Sequence, residues 1–113
     1  MNAIAQGIVI VCLIGQASWY GGGEKLNEYT ASGRRFNAEE RGVASWDYPF
    51  GTPLVITNLA NGKSVRCVVL DRGPAKRLVK QGRIIDLYKG CFEQIAELKE
   101  GLINVSVILD TAD

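Results

Sequence analysis

The sequence predicts a small, mostly β barrel, on three observations. Two β-branched runs flank an Asn-Gly pair, a run near the C-terminus alternates apolar and polar residues, and only one stretch carries a helical period. Thirteen glycines in 113 residues supply the tight turns such a fold needs. The length is that of one domain with a single core.

Taken in order, Ile4 to Ile14 is largely apolar, interrupted by Gln6 and Gly7. It is too short for a membrane-spanning helix. Its β-branched residues suit a buried strand, and its length suits the apolar part of a targeting segment, although no Lys or Arg precedes it. Residues 1–14 are therefore an apolar strand or an atypical targeting segment, and 15–110 the barrel domain. Gly21 to Phe50 reads as loops with short extended pieces. Pro53 to Asn58 and Ser64 to Leu70 form a hairpin around Asn61-Gly62, a pair that takes positive φ at both positions of a type I′ turn. Arg83 to Leu87 is a short strand. Tyr88, Cys91, Phe92, Ile95, Ala96 and Leu98 recur at near-helical spacing, which predicts one short α-helix ended by Gly101. From Leu102 to Leu109, Ile103, Val105, Val107 and Leu109 share one strand face.

Composition removes several function classes. A net charge of +1 gives no electrostatic case for nucleic acid or an anionic membrane. The chain has no histidine, which removes the usual general base and zinc ligand. Cys12, Cys67 and Cys91 are widely spaced without a C-x-x-C pair, so no metal site and no cofactor are expected. The thiols read as three buried small side chains, or as one disulfide with a free thiol left over.

The motifs then acquire a family. Seven pieces occur in order: Gly15 to Gly21; Thr30-Ala31-Ser32-Gly33 with Phe36-Asn37; Pro49-Phe50-Gly51-Thr52; Ile56 to Leu59; Asn61 to Val65; Asp71-Arg72-Gly73-Pro74; and Gly82 to Leu87. Over roughly residues 15 to 109 the chain resembles the RlpA-like (rare lipoprotein A) family. That resemblance implies a six-stranded double-psi β-barrel with two interlocking psi loops. It also implies a cell-envelope setting, periplasmic or secreted, and, in active members, lytic transglycosylation of peptidoglycan. Fold alone does not fix function, because such barrels also serve as binding modules.

Lytic transglycosylation needs one well-placed carboxyl, which protonates the glycosidic oxygen and then takes the proton of the sugar's 6-hydroxyl. The resemblance makes Asp71 that residue. On a regular strand Val65, Cys67, Val69 and Asp71 share a face, so Asp71 ends an apolar row in the partial burial that suits a general acid. Alternatively Asp71 only caps the turn at Arg72-Gly73-Pro74. Arg72 is expected on the opposite face. The family's histidine position, six residues before Gly51, holds Ser45, which binds substrate by hydrogen bonds but carries no charge. Asp47 shares a face with Ser45 if the segment is extended, and is either a replacement acid or a solvated loop residue. The acidic position after Thr-Ala-Ser-Gly holds Arg34, followed by Arg35. Tyr20, Trp46, Ser32 and Arg72 complete the expected substrate-binding set, with Trp46 as a groove residue and Trp19 as a core residue.

Three readings stay open: an endolytic transglycosylase acting through Asp71, a non-catalytic glycan-binding module resembling expansins, and a partner-binding barrel without a glycan role. The expected partner is the peptidoglycan glycan strand, with no nucleic acid and no stable membrane span, and the chain is expected to act as a monomer.

Overall fold

The computed structural model describes residues 12–111. Six strands, β1 (Leu13–Tyr20), β2 (Gly42–Ala44), β3 (Pro53–Asn58), β4 (Ser64–Asp71), β5 (Arg83–Tyr88) and β6 (Ile103–Leu109), close a barrel in the order β1-β5-β2-β4-β3-β6. Two four-residue helices, α1 (Lys76–Val79) and α2 (Lys89–Phe92), and a 3-10 turn at Leu98–Glu100 complete the chain. The β1/β5 and β2/β4 pairs are parallel, and the remaining four are antiparallel. This is the double-psi barrel that the motif order implied. Closure gives each of the six strands a paired neighbour on both sides.

Strand alternation fills the interior. On β4, Val65, Cys67 and Val69 point inward while Arg66 is exposed, and on β6 Ile103, Val105 and Val107 are buried. They meet Ala17, Val43, Leu54, Ile56, Ile85 and Leu87, and α2 closes the core with Cys91 and Phe92. Fully burying a side chain of this kind contributes about 1.5–3 kcal/mol.

Four expectations are corrected. The helix over Tyr88 to Leu98 stops at Phe92, although Ile95 is fully buried as the spacing required. Its carbonyl accepts hydrogen bonds from the side-chain amides of Asn58 (2.8 Å) and Asn61 (3.0 Å), where a continuing helix would use residue 99. The Asn61-Gly62 connection is a five-residue loop between β3 and β4, because Asn61 is committed to that contact and only Gly62 takes positive φ (75°). Leu109 is exposed at the end of β6. Finally, Cys67 and Cys91 are buried free thiols, and the neighbouring Cys91 thiol together with burial pushes the Cys67 thiol up, while Cys91 Sγ lies 3.9 Å from the Glu40 carbonyl and Cys12 is exposed. Of the N-terminal apolar run, Leu13 and Ile14 belong to β1 and pair with Val107 and Ser106. Residues 1–11 lie outside the described residues, so the choice between strand and targeting segment is not addressed there.

Candidate functional site

Register builds the site. Val43 pairs with Val69 on one side and Leu87 on the other, all three fully buried. One residue on, Ala44 pairs with Asp86 and, across a register shift that skips Leu70, with Asp71. Ser18 in turn pairs with Asp86. Ser18, Asp86, Ala44 and Asp71 therefore form a row across β1, β5, β2 and β4. This corrects the expectation that Asp71 continues the Val65–Cys67–Val69 row. The extra residue releases it from the core face, as β-bulges beside functional sites commonly do.

Both carboxylate oxygens of Asp71 are held. The Tyr20 hydroxyl donates to Oδ2 at 2.9 Å, and the backbone N–H groups of Ala31 and Arg72 donate to Oδ1, each at 2.9 Å. The Arg72 contact is the turn-capping bond that one reading of Asp71 expected. The carboxylate forms part of the wall of a cavity of about 310 Å³ lined by Tyr20, Leu26, Asn27, Tyr29, Thr30, Ala31 and Asp71. Tyr20 is fixed in turn: its ring stacks on Phe36 with centroids 5.4 Å apart and meets Tyr88 edge-on at 5.3 Å. Burial pushes the Tyr20 phenol far above its ordinary range, with Tyr88 and Asp71 adding to it, so Tyr20 keeps the proton that it donates to Asp71. A larger concavity, about 680 Å³, lies over Arg34 to Glu40, but Arg34 pairs with Glu40 there and Arg35 pairs with Glu28.

The segment after β2 is not extended. Ser45 is 1% exposed, its N–H donates to the Asp71 carbonyl at 3.1 Å, and its Oγ accepts the Asp47 N–H at 3.0 Å. Asp47 is exposed on the bend, so the two do not share a strand face, and Ser45 braces the loop instead of facing the cavity. Arg72 braces the same loop: its Nη1 donates to the carbonyls of Ser45 (2.8 Å) and Tyr48 (2.9 Å), and its guanidinium lies 3.9 Å from the Phe50 ring centroid. Trp46 is 44% exposed, its indole N–H donating to the Pro74 carbonyl at 2.6 Å. Ser32 bonds Thr30 through its hydroxyl (2.8 Å), steadying the turn that presents the Ala31 N–H. Trp19 sits against the core, with its indole N–H on the Leu98 carbonyl at 3.0 Å.

Sequence reasoning gave Asp86 no role. Its carboxyl is pushed above its ordinary value by burial, with Asp71 adding to the effect, while a hydrogen bond from the Ser18 hydroxyl and the charge of Arg83 oppose it. Gly73 packs over the row: a Cβ there would lie 3.3 Å from the Ala44 Cβ and 3.5 Å from Asp86 Oδ2. The turn after Asp71 thus covers Ala44 because Gly73 lacks a side chain. Among the described residues, no group of three or more His, Cys, Asp or Glu comes together to hold a metal ion.

Comparison with known proteins is consistent with this geometry. A probable endolytic peptidoglycan transglycosylase RlpA of Aquifex aeolicus is 44% identical over 89 residues, covering 79% of this chain and 37% of that protein. Its counterpart in Synechocystis is 42% identical over 93 residues, covering 82% and 27%. The chain thus spans well under half the length of these relatives. Among solved structures, a Streptomyces papain inhibitor superposes with a TM-score of 0.66 at 22% identity, covering 87% of this chain and 93% of that one. A mutant Clavibacter michiganensis expansin in complex with cellohexaose gives 0.67 at 18%, covering 91% and 52%. These two likenesses concern the fold alone. The lytic transglycolase family matches residues 13–107, from the first residue of β1 into β6, and the chain belongs to that family of double-psi barrels.

Proposed function

We propose that this barrel cleaves peptidoglycan glycan strands by endolytic transglycosylation, with Asp71 as acid and then base, in the cell envelope. One observation carries the reading: the Asp71 carboxyl forms part of the wall of an open cavity, with both oxygens held by three donors. The names of the relatives support it. In the first step the Asp71 proton passes to the glycosidic oxygen as the bond from that oxygen to C1 breaks. In the second the sugar's own O6 bonds to C1, and its hydroxyl proton returns to Asp71, closing the 1,6-anhydro ring without water. Tyr20 and the two backbone N–H groups stabilise the carboxylate that exists between these steps, and they need no reorganisation to do so. No second carboxyl is required, in contrast to most hydrolases.

The non-catalytic binding reading is favoured by Ser45, which stands at the family's histidine position and is buried away from the cavity. One experiment separates the two. Purified protein is incubated with isolated peptidoglycan and the released fragments are read by mass spectrometry. Transglycosylation predicts 1,6-anhydro-muramic ends, each lighter than the hydrolytic product by one water. Retention on the polymer with no released fragments would establish the binding module instead.

A further inference from the structure

The Asp71 cavity does not stand alone. A second hollow, about 340 Å³, shares Leu26 and Asn27 with it, and the 680 Å³ concavity shares Arg35 and Phe36 with that second hollow. Shared walls make the three one open trough. Apart from Asp71 itself, every residue that lines it lies between Tyr20 and Glu40, so the trough leaves Asp71 toward one side. One pair of stacked rings links its parts: Tyr20 lines the Asp71 cavity, Phe36 lines the other two hollows, and the ring centroids are 5.4 Å apart. The walls are braced from within. Tyr29 and Arg35 form a β-bridge, the Phe36 N–H donates to the Glu28 carbonyl at 2.9 Å, and the Glu24 carboxylate accepts the N–H groups of Gly21 (3.1 Å) and Gly22 (2.7 Å). Gly21 takes a φ of 99°, and a Cβ there would lie 2.9 Å from Phe36 Cζ, so its lack of a side chain lets the loop close on that ring.

The lining joins apolar surface to paired charge. Leu26 and Tyr29 are 41% and 56% exposed. Beside them Arg35 pairs with Glu28 and Arg34 with Glu40, so the walls present cationic donors and carboxylate acceptors side by side. A pyranose ring matches both features, since its C–H faces are apolar and its hydroxyls give and take hydrogen bonds. Each hollow falls within the roughly 300–1,000 Å³ of small-ligand sites. Resting on the function proposed above, we propose that the trough is an extended glycan site: the sugars on one side of the bond at Asp71 lie in it, at least one ring to each hollow. The strand is then gripped along its length and not at a single ring, and affinity rises with strand length until the trough is full. Because the walls are already ordered, little of that affinity is lost in arranging them.

The test reads affinity against strand length. Peptidoglycan glycan strands freed of peptide stems, so that only sugar contacts are measured, are separated into disaccharides and octasaccharides. Each is titrated into the full chain carrying Asp71→Asn, so that it stays uncut. The octasaccharide is expected to bind at least about tenfold more tightly than the disaccharide. Adding Glu28→Ala with Arg35→Ala removes an exposed ion pair from the outer trough, a pair that contributes little to stability. That change should weaken octasaccharide binding about tenfold and leave disaccharide binding within twofold, with an unchanged denaturation midpoint. Equal weakening on both lengths, no weakening on either, or no preference for the longer strand would overturn the trough. If the affinities behave as expected but the native chain releases no anhydro ends from peptidoglycan, the function proposed above fails and the trough stands as a glycan-binding site. If the native chain cuts and affinity ignores length, the trough alone fails.

Discussion

Tyr20→Phe isolates the contact on which the proposed chemistry leans most. The substitution removes one hydroxyl and leaves the ring, so the stack on Phe36 and the edge contact with Tyr88 persist. What is lost is the 2.9 Å donation to Asp71 Oδ2, while Oδ1 keeps the Ala31 and Arg72 N–H groups. A hydrogen bond to a charged group contributes about 1.5–3 kcal/mol. If that is expressed as the proton leaves Asp71, kcat falls about ten- to hundredfold, at roughly 1.4 kcal/mol per factor of ten. KM should hardly move, because the hydroxyl serves the carboxylate that develops and not the bound sugar. The assay is the initial rate of anhydro-muramic product against polymer concentration, with a denaturation curve to show the variant is folded. A rate within twofold of wild type, in a folded variant, would refute the role given to Tyr20 and with it the idea that Oδ2 needs a neutral donor.

Further predictions concern pH and stability. Burial raises the Asp86 carboxyl, so its unfolded form ionises first. The stabilisation is full below the unfolded value of 3.8 and is lost as pH rises through the higher folded value, a loss that the Asp86→Asn variant should lack when urea midpoints are compared from pH 3.5 to 7. Asn58→Ala removes a side chain that is 1% exposed and bonds both the Ile95 carbonyl and the Ala60 N–H. It should cost about 1–3 kcal/mol in chemical denaturation, and no change would show that Asn61 alone holds the turn. Gly90→Ala would set a Cβ 2.8–3.0 Å from the Glu39 backbone, where no side chain can yield. It should destabilise by about 1–3 kcal/mol or more, and a thermal scan that overlays wild type would contradict the packing of α2 on that loop.

Where periodicity and motif order governed, the sequence was legible. Burial of Ile103, Val105 and Val107 and the inward row on β4 follow from a period of two, and the barrel followed from the order of the motifs. The misreadings came where one long-range contact overrode a local pattern. The helical spacing after Tyr88 correctly buried Ile95, but the amides of Asn58 and Asn61 took its carbonyl, a contact spanning 37 and 34 residues. The Asn-Gly turn was misread for the same reason. At the candidate site, the motifs pointed to Asp71 and Tyr20, which the structure brings within 2.9 Å of each other. The shift at Leu70 was not legible, because nothing in Val68-Val69-Leu70-Asp71 marks which residue is skipped. Asp86 was invisible as a site neighbour, since only the pairing of Ala44 with both acids brings it beside Asp71. Ser45 looked like a substrate contact by its place in the motif, yet the bend that follows β2 turns it into a brace.

The most direct test of the central claim compares wild type with Asp71→Asn on isolated peptidoglycan. The asparagine keeps the shape and, through its carbonyl, an acceptor, but it cannot give a proton and take one back. Wild type should release 1,6-anhydro-muramic ends and the variant none above background, with both proteins equally retained on the polymer. Anhydro ends released by the variant at the wild-type rate would contradict the claim and place the acid elsewhere in the barrel.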